Sequence, residues 1–155
     1  MPVPHFDTVR DTPLPTDAEL VPHLQAMLEQ SLRRQIWIML LDRESKPLPL
    51  VMPSDVDEEP DPEDVIGYAD MLRCLSWDFD NATLVLTFER PGPAELTDQD
   101  RRWLRLLRQA CAESDCSFRG PYLLLGGTVR AVAAEEYAGI PWVYSDGDDD
   151  PEYDD

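Results

Sequence analysis

Leu84-Val85-Leu86-Thr87-Phe88-Glu89-Arg90-Pro91-Gly92-Pro93-Ala94-Glu95-Leu96-Thr97-Asp98-Gln99-Asp100 decides how this chain folds. The apolar run ending at Phe88 has the β-branched and aromatic content of a strand. Pro91-Gly92-Pro93 breaks it, because two prolines lack the N–H that a ladder needs and the glycine between them favours a turn. Thr97 then stands as an N-cap whose hydroxyl can accept a first-turn N–H, with Asp98 and Asp100 at the end of the helix that favours negative charge. Strand, turn and capped helix start follow one another within seventeen residues.

Downstream, the helix runs from Thr97 to about Ala112. Trp103, Leu104, Leu107, Ala110 and Cys111 fall on its inner stripe, while Arg101, Arg102, Arg105 and Arg108 cluster toward its outer side. Tyr122-Leu123-Leu124-Leu125 and Thr128 to Val132 flank Gly126-Gly127, the loop of a two-residue hairpin with positive φ angles. Ala133 to Tyr137 reads as a short terminal helix.

Upstream, Thr16-Asp17-Ala18-Glu19 is a capping box that opens a helix to about Arg34, with Leu20, Leu24, Met27, Leu28 and Leu32 on one stripe. Gln35 to Leu41 is apolar enough for a central strand. Asp42 to Lys46 is a polar turn, and Pro47 to Met52 returns as an edge strand because its prolines cannot donate to a ladder. An acidic connector over 53–62 leads to a helix from Pro62-Glu63-Asp64-Val65 to about Leu75, which faces the core with Val65, Tyr68, Ala69 and Leu72. The fold class is therefore α/β, a mixed sheet flanked by helices. The chain divides into a proline-rich extended arm (1–15), a single α/β domain (16–144) and an acidic tail (145–155) expected to be disordered.

The net charge of −19 is uneven. Asp55 to Asp64 holds seven carboxylates and Ser145 to Asp155 seven more; taking these fourteen away leaves −5 on the rest. Such a surface repels phosphate, so direct nucleic-acid binding is not expected, whereas a protein partner is. No apolar run approaches the roughly 18 residues of a membrane span, and the N-terminus has no basic and apolar signal segment. Cys74, Cys111 and Cys116 are odd in number and lack a CxxC pattern, as expected of free thiols in a reducing cytosol. Cys74 and Cys111 are expected to pack as small core residues.

The strand, proline, loop and capped helix over 84–100 resemble the metal-binding segment of RadC-type JAB/MPN domains, which reads His-x-His-Pro, a short loop and Ser-x-x-Asp. Phe88 and Arg90 stand at the two histidine positions, Pro91 at the proline, and Thr97 and Asp100 at the serine and aspartate, with a loop about one residue shorter. Leu41-Asp42-Arg43, the strand from Pro47 to Met52, the helix from Thr97 and the final hairpin match the family in order and spacing, over roughly residues 35 to 138. The resemblance implies a cytidine-deaminase-like architecture. It also implies a vestigial site at Phe88, Arg90, Thr97 and Asp100. Zinc hydrolysis in the family needs two histidines, an aspartate and a general-base glutamate. The place of that glutamate falls here near Arg34 or Gln35. Phenylalanine has no lone pair for zinc and arginine keeps its charge, so no metal, no cofactor and no catalytic residue are expected. Arg90 is expected to replace the metal's charge and to lie near Asp100 or another carboxylate. The arginine-rich composition with a single lysine, Lys46, fits a GC-rich, actinobacterial-type source.

Other chemistries have less behind them. His5 lies in the proline-rich arm, and His23, after Pro22, is expected on the surface. Neither histidine stands in a pattern that would activate a cysteine. Asp78-Phe79-Asp80-Asn81 lacks the glycine of a calcium loop and runs into a strand. The chain thus reads as a cytoplasmic, non-catalytic interaction or regulatory module. Its contacts would come from the acidic segments or the arm; the strip Arg101, Arg102, Arg105 and Arg108 reads either as a docking strip for an acidic partner or as surface pairing that neutralises Asp98 and the acidic connector. The alternatives are a hydrolase of metal-dependent peptidase or nucleotide-processing type using Asp100 and Glu89, and an acidic mimic of nucleic acid that binds basic proteins.

Overall fold

The computed structural model describes residues 13–28 and 33–138. His5, most of the proline-rich arm and the whole acidic tail lie outside the described residues. The elements are α1 (Asp17–Leu28), β1 (Gln35–Leu41), β2 (Pro47–Asp55), α2 (Asp64–Asp78), β3 (Thr83–Arg90), α3 (Asp98–Ser114), β4 (Phe118–Leu125) and β5 (Thr128–Ala131), closed by a 3₁₀ turn over Ala134–Glu136. This is the order of elements expected from the sequence. The strands form one mixed sheet in the order β2-β1-β3-β4-β5, in which only β3 and β4 run parallel. The parallel pair is joined through α3, the longer connection that parallel strands require.

Side chains alternate across the sheet. Ile36, Ile38, Leu40, Leu84, Leu86, Phe88, Leu123 and Leu125 face α2 and α3, whose Leu72, Trp103, Leu104 and Leu107 complete that core. Met39, Leu41, Val85, Tyr122, Leu124 and Val129 face the other way, against Leu20 and Leu24 of α1. The sheet is thus sandwiched between one helix and two.

Leu14, at the end of the expected extended arm, is buried in the second core, and its N–H donates to Ser45 O at 2.8 Å. The guanidinium of Arg119 donates to Leu14 O, and the Tyr122 hydroxyl donates to Asp17 Oδ1 at 2.5 Å. These contacts fix the start of α1 over β4. Glu19 reaches back to the Thr16 N–H at 2.8 Å, as a capping box requires, while the Thr16 hydroxyl donates to the same carboxylate. At its far end Gln25 caps the edge strand β5: its Oε1 accepts the Val129 N–H at 2.7 Å and its Nε2 donates to Gly127 O at 2.9 Å. An exposed strand edge is a template for unwanted pairing, and one side chain here occupies part of it.

Several expectations need correction. The first helix does not extend to Arg34, because Arg33 and Arg34 form the bend that enters β1. His23 is buried rather than on the surface; three residues after Leu20, it falls on the helix face that meets the sheet. Cys74 is exposed rather than in the core, because two residues beyond the buried Leu72 the helix has turned outward. The acidic connector is pinned down: Trp103 Nε1 donates to Asp57 O and Glu58 O at 3.1 and 3.2 Å, and Glu59 accepts from Arg102 and Gln99.

Candidate functional site

β3 continues two residues past the expected end at Phe88, and Glu89 and Arg90 are both buried. Phe88 points into the core and stacks on Trp103, with ring centroids 6.2 Å apart. Arg90, on the same face, reaches the first turn of α3. Its Nε donates to Asp100 Oδ1 at 2.7 Å and its Nη2 to Asp100 Oδ2 at 2.6 Å, a two-point pair whose side chains are 6% and 0% exposed. Nη1 donates to Pro91 O at 3.2 Å and Pro93 O at 2.7 Å, and Nη2 also donates to Glu95 O at 2.8 Å. The turn Pro91–Glu95 therefore wraps the guanidinium with backbone carbonyls. Gly92, at φ 106°, takes a conformation that other residues rarely adopt, and a Cβ there would lie 3.3 Å from Arg90 Nη1.

Asp100 has a second task. Thr97 caps α3 by accepting the Asp100 N–H at 3.1 Å, and Asp100 Oδ2 accepts the Thr97 N–H at 2.9 Å. Burial pushes the Asp100 carboxyl upward, but the Arg90 hydrogen bonds, the Thr97 N–H and the Arg90 charge outweigh it and hold the group below its ordinary value. Arg90, Thr97 and Asp100 thus form one buried unit, with Phe88 behind it in the core.

On the opposite face of β3, Glu89 Oε1 accepts from Gln35 Nε2 at 2.9 Å and from the Trp37 indole N–H at 2.6 Å. Its Oε2 accepts the Arg33 N–H at 3.0 Å. Sequence reasoning placed Glu89 only as a candidate carboxylate. Its cross-strand partner Gln35 was the available signal, and recognising it required the register of β1 on β3.

The four arginines of α3 separate. Arg101 bonds Asp98 Oδ1 and Glu136 O, and Arg102 pairs with Glu59 at 2.8 Å. Arg105 and Arg108 instead line a cleft of about 270 Å³ with Gln109, Ala112, Tyr137 and Ala138. Arg108 also sits 5.5 Å from the centre of the Phe118 ring.

The residues at the resembled metal site do not fit zinc. Phe88 offers no donor atom, the Arg90 cation occupies the space beside Asp100, and both Asp100 oxygens already accept from Arg90. Among the described residues, no group of three or more His, Cys, Asp and Glu stands close enough together to hold a metal ion. Also among these residues, no helix is long and apolar enough to cross a membrane. No family model, no curated protein and no solved structure matches the chain.

Proposed function

We propose that this chain is a non-catalytic domain of JAB-like, cytidine-deaminase-like layout, serving in the cytosol as a protein-interaction or regulatory module. The observation that carries this reading is the Arg90–Asp100 pair. The strand-turn-helix segment that would hold a metal is filled by a permanent cation, and every one of that cation's nitrogens is bonded within the chain. A group that donates to its own turn and carboxylate is built to hold a fold, not to turn over a substrate. The hydrolase alternative needs Asp100 as a base or ligand, and a fully buried carboxylate already serving Arg90 and Thr97 offers neither.

Elemental analysis of the purified chain after dialysis tests the proposal. The expected result is zinc far below one ion per chain, with no chelator-sensitive peptidase or isopeptidase activity. One retained zinc per chain, or hydrolysis abolished by a chelator, overturns it.

A further inference from the structure

α2 carries a second, exposed stripe about a quarter turn round the helix from the Val65, Ala69 and Leu72 face that packs on the sheet, on the side next to the end of α3. Ile66 is 67% exposed and Trp77 78% exposed. Between them, Asp70 and Arg73 form an ion pair at 2.6 Å, each more than half open to solvent. The steps from Ile66 to Asp70, Arg73 and Trp77 are four, three and four residues, the spacing of a single stripe along a helix. Tryptophan is highly buried on average, so an indole this open at the end of such a stripe calls for an explanation.

The stripe is symmetric about its own centre. Ile66 and Trp77 lie equally far from the point between Met71 and Leu72, and so do Asp70 and Arg73. A two-fold axis through that point would lay a second copy of α2 antiparallel on the first. Ile66 would then meet Trp77 of the second copy, and Asp70 would meet Arg73 of the second copy. This reciprocal matching of one patch with itself is what an isologous interface requires. Large apolar groups meet at both ends, and opposite charges meet in the middle. Arg73 is held in place by a bond from its Nη2 to Glu113 O at 3.0 Å, so the central cation is set on this face before a partner arrives.

We infer that the outward stripe of α2, Ile66-Asp70-Arg73-Trp77, is a docking surface for a second copy of this chain, paired antiparallel about the point between Met71 and Leu72. The inference does not depend on the absence of catalysis.

Sedimentation equilibrium of the full chain tests it, run from micromolar to millimolar concentration. Salt at about 0.15 M gives a Debye length of about 8 Å, which screens the net charge while leaving the contacts inside the stripe. The average mass should rise toward twice that of one chain. Trp77→Asp should weaken association at least tenfold. Asp70→Arg and Arg73→Asp should each weaken it alone, because like charges then meet at the centre. An equal mixture of these two variants should associate more tightly than either by itself, because every central charge then faces its opposite. All three substitutions are at exposed positions, and circular dichroism checks that each variant remains folded. A monomer throughout the range, association unchanged by Trp77→Asp, or a mixture no tighter than its components would each overturn the inference. Cross-linking adds an independent reading. Cys74 lies two to three residues from the axis, so the two copies of Cys74 stand about 8 Å apart along the helix direction. A short bis-maleimide should couple the native chain into dimers and fail to do so with Cys74→Ser.

Discussion

Glu89 and Arg90 are neighbours on β3 and bury opposite charges on opposite faces of the sheet. Glu89 is held by strand neighbours on the α1 side, through Gln35, Trp37 and the Arg33 N–H. Arg90 is held by the turn it enters and by the helix that follows. The pair thus ties the exit of the central strand to β1 on one face and to α3 on the other, and neither charge can be removed without leaving desolvated partners behind.

That arrangement sets the first expectation. Arg90→Ala and Asp100→Ala should each destabilise the fold by about 3–5 kcal/mol, since either leaves a buried charge without its partner. Arg90→Ala combined with Asp100→Ala should cost clearly less than the two losses added, with a coupling of about 0.5–3 kcal/mol. Urea unfolding of the four proteins measures this, and strict additivity would show that the pair is not energetically linked.

Acid should expose the same unit. The folded Asp100 carboxyl sits below its ordinary value, while in the unfolded chain it takes up a proton near pH 4, at about 3.9. Its contribution is therefore complete above that value and is lost as pH falls through the lower, folded one. The stability gap between the native chain and Asp100→Asn should be constant near neutrality and narrow below about pH 4. Urea midpoints at several pH values check it; a gap that begins to close near pH 6 would point to another group.

Much of this architecture was legible in the sequence because the signals were local. The Gly126-Gly127 hairpin, the Thr97 cap and the apolar run from Gln35 to Leu41 each depend on residues close in the chain. The features missed depend on distant partners. Glu89 lies past the expected strand end at Phe88 and reads as an isolated carboxylate until Gln35 and Trp37 of β1 are seen to satisfy it. β4 begins at Phe118, four residues before its apolar run, because Gly120-Pro121 lies inside an interior strand where proline is not expected. The register with β3 slips there, and Gly120, at φ 106°, would place a Cβ 2.8 Å from Leu86 O. For the site, a carboxylate beside Arg90 was what the family resemblance implied, and the partner is Asp100, but the carbonyl cradle of Pro91, Pro93 and Glu95 was not legible, since it depends on the path of the turn.

Thiol chemistry should separate the cysteines. Cys111 is buried, and burial pushes its thiol up to about 12, so little thiolate exists near neutrality. Cys74 is exposed on α2. A small maleimide at neutral pH should modify Cys74 quickly and leave Cys111 untouched until denaturant is added. Peptide mass analysis of the labelled chain would reveal the order, and early modification of Cys111 would mean that the end of α3 opens readily.

His23 gives the last expectation. It is packed on the inner face of α1, with Nε2 buried and without a hydrogen-bond partner among the described residues. Burial lowers its pKa, since the imidazolium loses water it cannot replace. The unfolded chain takes up a proton near the ordinary histidine value of about 6.5, and the folded chain resists until lower pH. Protonation therefore favours unfolding: stability should be full above about pH 6.5 and decline as pH falls toward the folded value. His23→Leu removes both the unpaired nitrogen and the titration. It should gain about 1 kcal/mol near pH 8, and its advantage should grow between about pH 6.5 and 5. Thermal unfolding of both proteins across that range decides the matter. A variant less stable at every pH would mean that His23 makes a favourable polar contact and is no cost to the core.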